Sequence, residues 1–166
     1  MTTDEIDPIS LSYPWVHQDG EGYSMWYGST RTWDAGNNEM LHVLNFANSE
    51  NGQNWTKKGL SIPYREGIAQ AFSRPTVAVT ASNRLEMWFS YRGGNGDKYK
   101  IGYASQREDL EWELQLDNSG IEQSQQGWDS EMNCYPFVFD HQGDRYMLYN
   151  GNSYGKTGFG LAILED

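Results

Sequence analysis

Short apolar segments separated by polar turns recur three times along the chain of 166 residues. Each round opens on a small residue, then any residue, proline, any residue and valine, and Pro14, Pro75 and Pro136 follow one another at intervals of 61 residues. Proline is tolerated at the first residue of a strand, where its missing N–H costs least. The pattern therefore predicts that residues 12–16, 73–77 and 134–138 begin equivalent strands.

Each opening segment is followed by a Gly- or Asn-containing turn and an aromatic strand, which is the pattern of a β-hairpin. The second strands are predicted at residues 23–28, 85–91 and 145–149, and the third strands at 41–47, 99–104 and 158–164. In the first two rounds a tryptophan, Trp55 or Trp112, begins a fourth strand. The third round has three strands.

Four consecutive antiparallel strands repeated about every 60 residues are typical of a β-propeller blade, because one small sheet buries both faces only when neighbours stack on it. We therefore predict an all-β fold, a β-propeller of four-stranded antiparallel blades with about three blades per chain. Residues 1–166 form a single partial domain, with blades at approximately 12–61, 73–117 and 134–166. A β-sandwich with accidental similarity is the alternative.

Composition and charge exclude several classes of partner and site. Lys and Arg number 12 against 23 Asp and Glu, and the formal charge of −11 argues against nucleic acid and anionic membranes as partners. The single cysteine, Cys134, permits no internal disulfide, and no Cys/His cluster predicts a metal or cofactor site. Without an apolar run of ~18 residues or a leader pattern, we expect a cytoplasmic protein in a reducing compartment.

The propeller topology brings the segments before each proline and the loops after each second strand to the face near the axis. These segments are rich in groups that hydrogen-bond hydroxyls or stack on flat apolar surfaces, which suits a glycan. The candidate ligand-binding residues are Tyr13, Trp33, Arg74, Arg92, Tyr135, Asn152 and Tyr154. For Arg74 an ion pair with Glu131 or Asp129 is the alternative. The histidines His17, His42 and His141 have no obvious partner.

The proline openings, the Met-Trp-Tyr run at residues 25–27 and the Ile-Gly-Tyr-Ala-Ser run at residues 101–105 resemble the five-bladed propeller glycosidases. These are the arabinanases, β-xylosidases, invertases and related mannoside phosphorylases. The resemblance covers essentially the whole chain but only about three of the five blades.

The resemblance implies a pair of carboxylates flanking a glycosidic bond, one of them an Asp directly before a blade-opening proline. Tyr13, Arg74 and Tyr135 stand there instead. The nearest acids upstream of the third proline are Glu131 and Asp129, with a solvated or Arg-paired acid as the structural alternative. We therefore expect a non-catalytic carbohydrate-binding or assembly module. The alternative is a glycoside hydrolase that uses Glu131 or Asp129 as its acid, and a purely structural interaction protein is a third.

An arc of three blades leaves two blade faces uncovered, and soluble proteins avoid such apolar patches. A homodimer that joins two arcs into one ring would cover them with two-fold symmetry. Residues 6–11 of one subunit would then pair with the third blade of the other. The alternative is a piece of a longer glycosidase-like protein.

Overall fold

The computed structural model describes residues 1–165, and strands dominate it. Asp166, the last residue of the third predicted blade, lies outside the described residues. The only helical segments of the described chain are the turns Leu116–Asn118 and Asn152–Gly155, so the all-β prediction is confirmed. No helix in this part of the chain has the length and apolar character to cross a membrane. The strands are β1 (Ser10–Asp19), β2 (Gly22–Thr32), β3 (Leu41–Ser49), β4 (Thr56–Leu60), β5 (Ala71–Val79), β6 (Leu85–Arg92), β7 (Lys100–Gln106), β8 (Trp112–Leu114), β9 (Cys134–His141), β10 (Asp144–Asn150) and β11 (Phe159–Ile163).

Consecutive strands pair antiparallel in three units. The first unit is β1 to β4, the second is β5 to β8 and the third is β9 to β11. One parallel pair, His42 with Ala71, joins the first unit to the second. In the described chain the third unit has no fourth strand, so β11 pairs with β10 alone.

The first strand of every unit is bulged at its proline. Pairing with the second strand shifts between Ser12 and Trp15 and again between Ser73 and Thr76, and β9 shows the same irregularity against β10. A bulge inserts an extra residue and re-aims its side chain. The three units thus share one local distortion at matched places.

The units pack face to face. Between the first and second, Trp26 and Leu44 share a buried cluster with Phe72 and Met87. A second cluster joins the second and third units and contains Trp88, Ile101, Val138, Met147 and Tyr149. Alternate residues of a strand point to opposite faces, so each unit offers one face to a neighbour on each side.

The third unit has a second face that nothing covers in the described chain. Ala162 of β11 packs toward the second unit, and the residues that alternate with it are exposed. Phe159 is 74% exposed, Leu161 55% and Ile163 53%. We call these three side chains the open face.

Candidate ligand-binding site

The first strands of the three units meet around a cleft of about 400 Å³, which we call the three-strand cleft. Each strand contributes its proline and the residues on either side. The lining residues are Tyr13, Pro14, Trp15, Arg74, Pro75, Tyr135, Pro136 and Phe137. Three of the residues predicted to bind a ligand are therefore brought together here, one from each unit.

Those three residues share an unusual backbone. Tyr13, Arg74 and Tyr135 have φ of 51°, 47° and 58°. Positive φ is uncommon for residues other than glycine, and a residue before proline is normally pushed toward extended backbone. Such strain persists where the surrounding structure enforces it, and it concentrates at binding sites. In this chain the bulge enforces it three times.

Arg74 lies between two tyrosine rings in the cleft. Its Cζ is 5.1 Å from the ring centroid of Tyr135 and 5.8 Å from that of Tyr13. Cation–π attraction holds a guanidinium at this range. Among the described residues no carboxylate lies within 4.0 Å of the guanidinium, so the alternative ion pair with Glu131 or Asp129 is not formed.

The aromatic surface continues from Tyr135 away from the cleft. The ring of Tyr154 stacks on that of Tyr135, with centroids 6.1 Å apart and an interplanar angle of 27°. Tyr99 lies 6.3 Å from Tyr135 and 6.1 Å from Tyr154. Burial raises the pKa of Tyr135 above its ordinary value, so its hydroxyl stays a hydrogen-bond donor at neutral pH.

Arg92 lies beside this surface and is already paired. Its Cζ is 4.8 Å from the Tyr99 ring centroid. Its Nη2 donates to Oε1 of Glu39 at 3.0 Å and its Nε lies 2.8 Å from Oε2, so Arg92 forms an ion pair with a buried carboxylate. Arg92 therefore positions Tyr99, with its charge balanced. Nothing in the local sequence indicated Glu39, since the two residues come from different units.

His42 supports the cleft from behind, and the expectation that it has no partner is wrong. Its Nε2 lies 3.0 Å from the Ser12 hydroxyl oxygen and its Nδ1 lies 2.7 Å from that of Thr30. Its ring meets the edge of Tyr13, with centroids 6.3 Å apart. Burial lowers the pKa of His42 to about 4, so the imidazole is neutral at pH 7.

The two predicted catalytic acids do not line the three-strand cleft. Asp129 is 3% exposed, and one of its carboxylate oxygens accepts a hydrogen bond of 3.0 Å from the Tyr149 hydroxyl. Its other oxygen has no hydrogen-bond partner among the described residues. Glu131 is exposed, and its backbone N–H donates to the Asn152 side chain.

The remaining predicted binding residues lie apart from the cleft as well. Asn152 is buried, and its Oδ1 accepts bonds from the backbone N–H groups of Glu131 and Met132 at 2.8 and 3.0 Å. This arrangement fixes the segment before β9. Trp33 is exposed at the end of β2 and is not part of the cleft lining.

A second buried acid, Asp7, was not among the candidates. Its carboxylate accepts bonds from Tyr27 at 3.0 Å and Asn45 at 2.8 Å and lies 2.6 Å from Lys57 Nζ. Asp7 and Asp129 each stand seven residues before the proline of a unit's first strand, a shared spacing that could have identified both. No group of three or more Asp, Glu, His or Cys residues in the described part of the chain is placed to hold a metal ion.

No protein-family model matches the chain. Two uncharacterized proteins of Mycobacterium tuberculosis, MT1551 of strain CDC 1551 / Oshkosh and Rv1502 of strain ATCC 25618 / H37Rv, are each 46% identical over 167 residues, which cover 100% of this chain and 54% of theirs. The chain thus spans about half the length of the curated relatives it matches.

Solved structures share the fold. The family 117 glycoside hydrolase Zg3597 of Zobellia galactanivorans has a TM-score of 0.76 at 19% identity, over 100% of this chain and 56% of that one. A BT0996 RGII complex gives 0.72 at 20% identity, over 94% and 54%. A thermostable family-43 glycoside hydrolase gives 0.69 at 18% identity, over 99% and 52%. The likeness to glycosidases is confirmed at the level of the fold.

Proposed function

We propose that the protein is a carbohydrate-binding module of the glycosidase-type propeller fold that binds a glycan at the three-strand cleft without cleaving it. The three units are the propeller blades over residues 12–61, 73–117 and 134–166 of one domain. The observation that carries the proposal is the convergence of Tyr13, Arg74 and Tyr135 in a cleft whose lining contains no carboxylate.

The cleft has the chemistry that sugars need. Aromatic rings stack against the C–H face of a pyranose, and tyrosine hydroxyls and guanidinium N–H groups bond its hydroxyls. Tyr13 and Tyr154 are both partly exposed. Arg74 contacts the rings of both Tyr13 and Tyr135, and Tyr154 stacks on Tyr135. The glycoside hydrolases and the RGII complex among the solved structures support a glycan as the ligand.

Hydrolysis would need two carboxyl groups flanking one glycosidic bond, roughly 5–9.5 Å apart. Asp129 is held in the interior by Tyr149, and Glu131 lies outside the cleft lining. We therefore place binding first. The alternative is a glycoside hydrolase with Glu131 or Asp129 as its acid.

The test is calorimetric titration with a broad panel of oligosaccharides, run beside a turnover assay on aryl glycosides. The Tyr13→Ala variant should weaken glycan binding roughly tenfold or more, since the ring forms one wall of the cleft. Tyr64→Ala is the matched control, because Tyr64 is 37% exposed against 39% for Tyr13 and lies outside the cleft.

The outcome separates the two functions. Binding without turnover supports the module. Turnover that is lost in Glu131→Gln or Asp129→Asn establishes the hydrolase instead. Failure of every glycan in the panel to bind rejects both.

We also propose that the open face is covered by a second copy of the chain. Within the chain the same kind of sheet face is covered twice, between the first and second units and between the second and third. A unit of a second chain could pack on the open face in the same way as neighbouring units pack within the chain. Two chains joined in this way would form a ring with two-fold symmetry.

Sedimentation equilibrium of the purified chain checks this assembly. A dimer is expected, and Leu161→Glu should convert it to a monomer because a charge would be buried in the contact. Leu110→Glu, at an exposed leucine of the turn before β8, should leave the dimer intact. A compact monomer of the unmodified chain would overturn the assembly.

A further inference from the structure

Arg74 carries a charge that the protein does not balance. Three partly buried cations have acidic partners: Arg92 pairs with Glu39, Lys57 with Asp7, and Arg145 with Glu86. Arg74 has no such partner in the described chain, although acidic residues outnumber basic ones by 23 to 12. Arg74 is exposed in the cleft, so a ligand that enters the cleft can reach its charge.

The side chain is held in place without using its donors. Its described contacts are with the rings of Tyr13 and Tyr135, through which the guanidinium is attracted electrostatically. No hydrogen bond from the Arg74 side chain occurs among the described residues. Its N–H donors are therefore free for a ligand, and the two rings hold the guanidinium that presents them.

Resting on the proposed function, we infer that the glycan bound at the three-strand cleft carries a carboxylate, so that the preferred sugar is a uronic acid. A guanidinium matches a carboxylate in planar shape, charge and spacing of donors, and the pair forms two parallel hydrogen bonds. A neutral sugar would leave the cation unpaired when it covers the cleft, and this costs affinity.

The net charge of −11 opposes this preference only at long range. Salt at physiological strength screens exposed charges beyond about 8 Å, whereas contact between Arg74 and a bound carboxylate is much shorter than that. Selection for the acid is thus a property of the cleft and not of the whole surface.

The experiment compares three ligands that differ only at one carbon: methyl β-D-glucuronide, its methyl ester and methyl β-D-glucoside. The galacturonide series is run in parallel. For the unmodified chain, calorimetry should give roughly tenfold tighter binding of the free acid than of either neutral ligand. The preference should shrink as salt is raised.

Arg74→Gln should bring the acid and the neutral ligands to within about twofold of each other. Arg74→Lys, which keeps the charge without the planar fork, should retain part of the preference. Arg84→Gln removes the same charge near the hairpin turn between β5 and β6 and should change nothing.

Equal binding of acid, ester and glucoside by the unmodified chain would overturn the inference and leave the proposed function standing. Persistence of the preference in folded Arg74→Gln would overturn the role of Arg74. Absence of binding by these sugars and by the whole oligosaccharide panel would reject the proposed function itself. The comparison of free acid with ester uses only the unmodified chain, so it decides the matter even if a variant fails to fold.

Discussion

The hydroxyl of Tyr149 donates a 3.0 Å hydrogen bond to the buried carboxylate of Asp129. The first unit contains the same pair, in which Tyr27 donates to Asp7 at 3.0 Å. In the second unit the corresponding aromatic residue is Phe89, which has no hydroxyl, and Ile68 stands seven residues before the proline. Acid and hydroxyl are thus present together or absent together.

Removing the Tyr149 hydroxyl should therefore leave the buried Asp129 carboxylate without its hydrogen-bond donor and lower the stability of the fold. Burial raises the pKa of Tyr149 to about 12, so the hydroxyl is a donor across the neutral range. Tyr149→Phe should lower the free energy of unfolding by about 1–3 kcal/mol, because the second oxygen of Asp129 also lacks a partner. Urea unfolding measures this loss.

Tyr146→Phe supplies the control. The Tyr146 hydroxyl bonds Asp144 at 3.3 Å in an exposed position, and its loss should change stability much less than loss of the Tyr149 hydroxyl. Equal effects of the two substitutions would contradict a special role for the buried pair.

Arg145 links the third unit to the second. It donates to Glu86 at 2.5 Å and to the Val79 carbonyl at 3.1 Å, pairs with Asp140 at 2.7 Å, and lies 5.6 Å from the Trp88 ring centroid. Arg145→Met should cost about 1–3 kcal/mol of unfolding free energy, since Glu86 loses a partly buried partner.

An ion pair at the surface gives the comparison. Arg107 and Asp109 are both more than half exposed, and Arg107→Met should lower the unfolding free energy much less than Arg145→Met does. A double-mutant cycle on Arg145 and Glu86 isolates their coupling, and a coupling near zero would show that Arg145 acts only through packing.

His42 should make stability fall in mild acid. Its pKa is about 4 in the folded protein because of burial, below its ordinary value of 6.5, so the unfolded chain takes up the proton first. The contribution of the neutral imidazole is complete above pH 6.5 and is lost as the pH falls toward 4. The loss amounts to at most about 3 kcal/mol.

Unfolding curves at pH 7, 6, 5 and 4 measure that decline. His42→Gln should be less stable at pH 7 but should decline less steeply over this window. His141→Gln, at the exposed end of β9, should keep the original slope. An unchanged slope in His42→Gln would show that other groups produce the acid sensitivity.

Gly28 leaves room for the His42 network. A Cβ at this position would meet the His42 ring, and it would lie 2.7 Å from the Ser12 hydroxyl. Gly28→Ala should therefore cost about 1–3 kcal/mol through overpacking. Gly20→Ala, where a Cβ would have no neighbour within 4 Å, should cost little. Thermal unfolding compares them, and equal midpoints would contradict the proposed crowding.

The spacing of the prolines was enough to predict which strands correspond and that Tyr13, Arg74 and Tyr135 share one region. It worked because the proline and the small residue two positions before it reflect a local backbone constraint that each strand meets independently. The aromatic second strands were equally predictable, since their turn residues and their apolar pattern lie within one short stretch of sequence.

The hydrogen-bond and ion-pair partners of buried polar groups could not be predicted from the sequence in the same way. His42 depends on Ser12 and Thr30 in two other strands, and Glu39 depends on Arg92 in another unit. Such contacts exist only once register and packing are fixed. For the same reason the sequence could not show that Asp129 faces Tyr149 and lies away from the cleft.

At each bulge, the residue before the proline lies in the cleft and does not pair with the second strand. Pairing with the second strand resumes at Trp15, Thr76 and Phe137, beyond the distorted residue. The three pre-proline residues therefore lie outside the regular pairing of their strands. A library that varies only residues 13, 74 and 135 should change the lining of the cleft while each unit keeps its buried core.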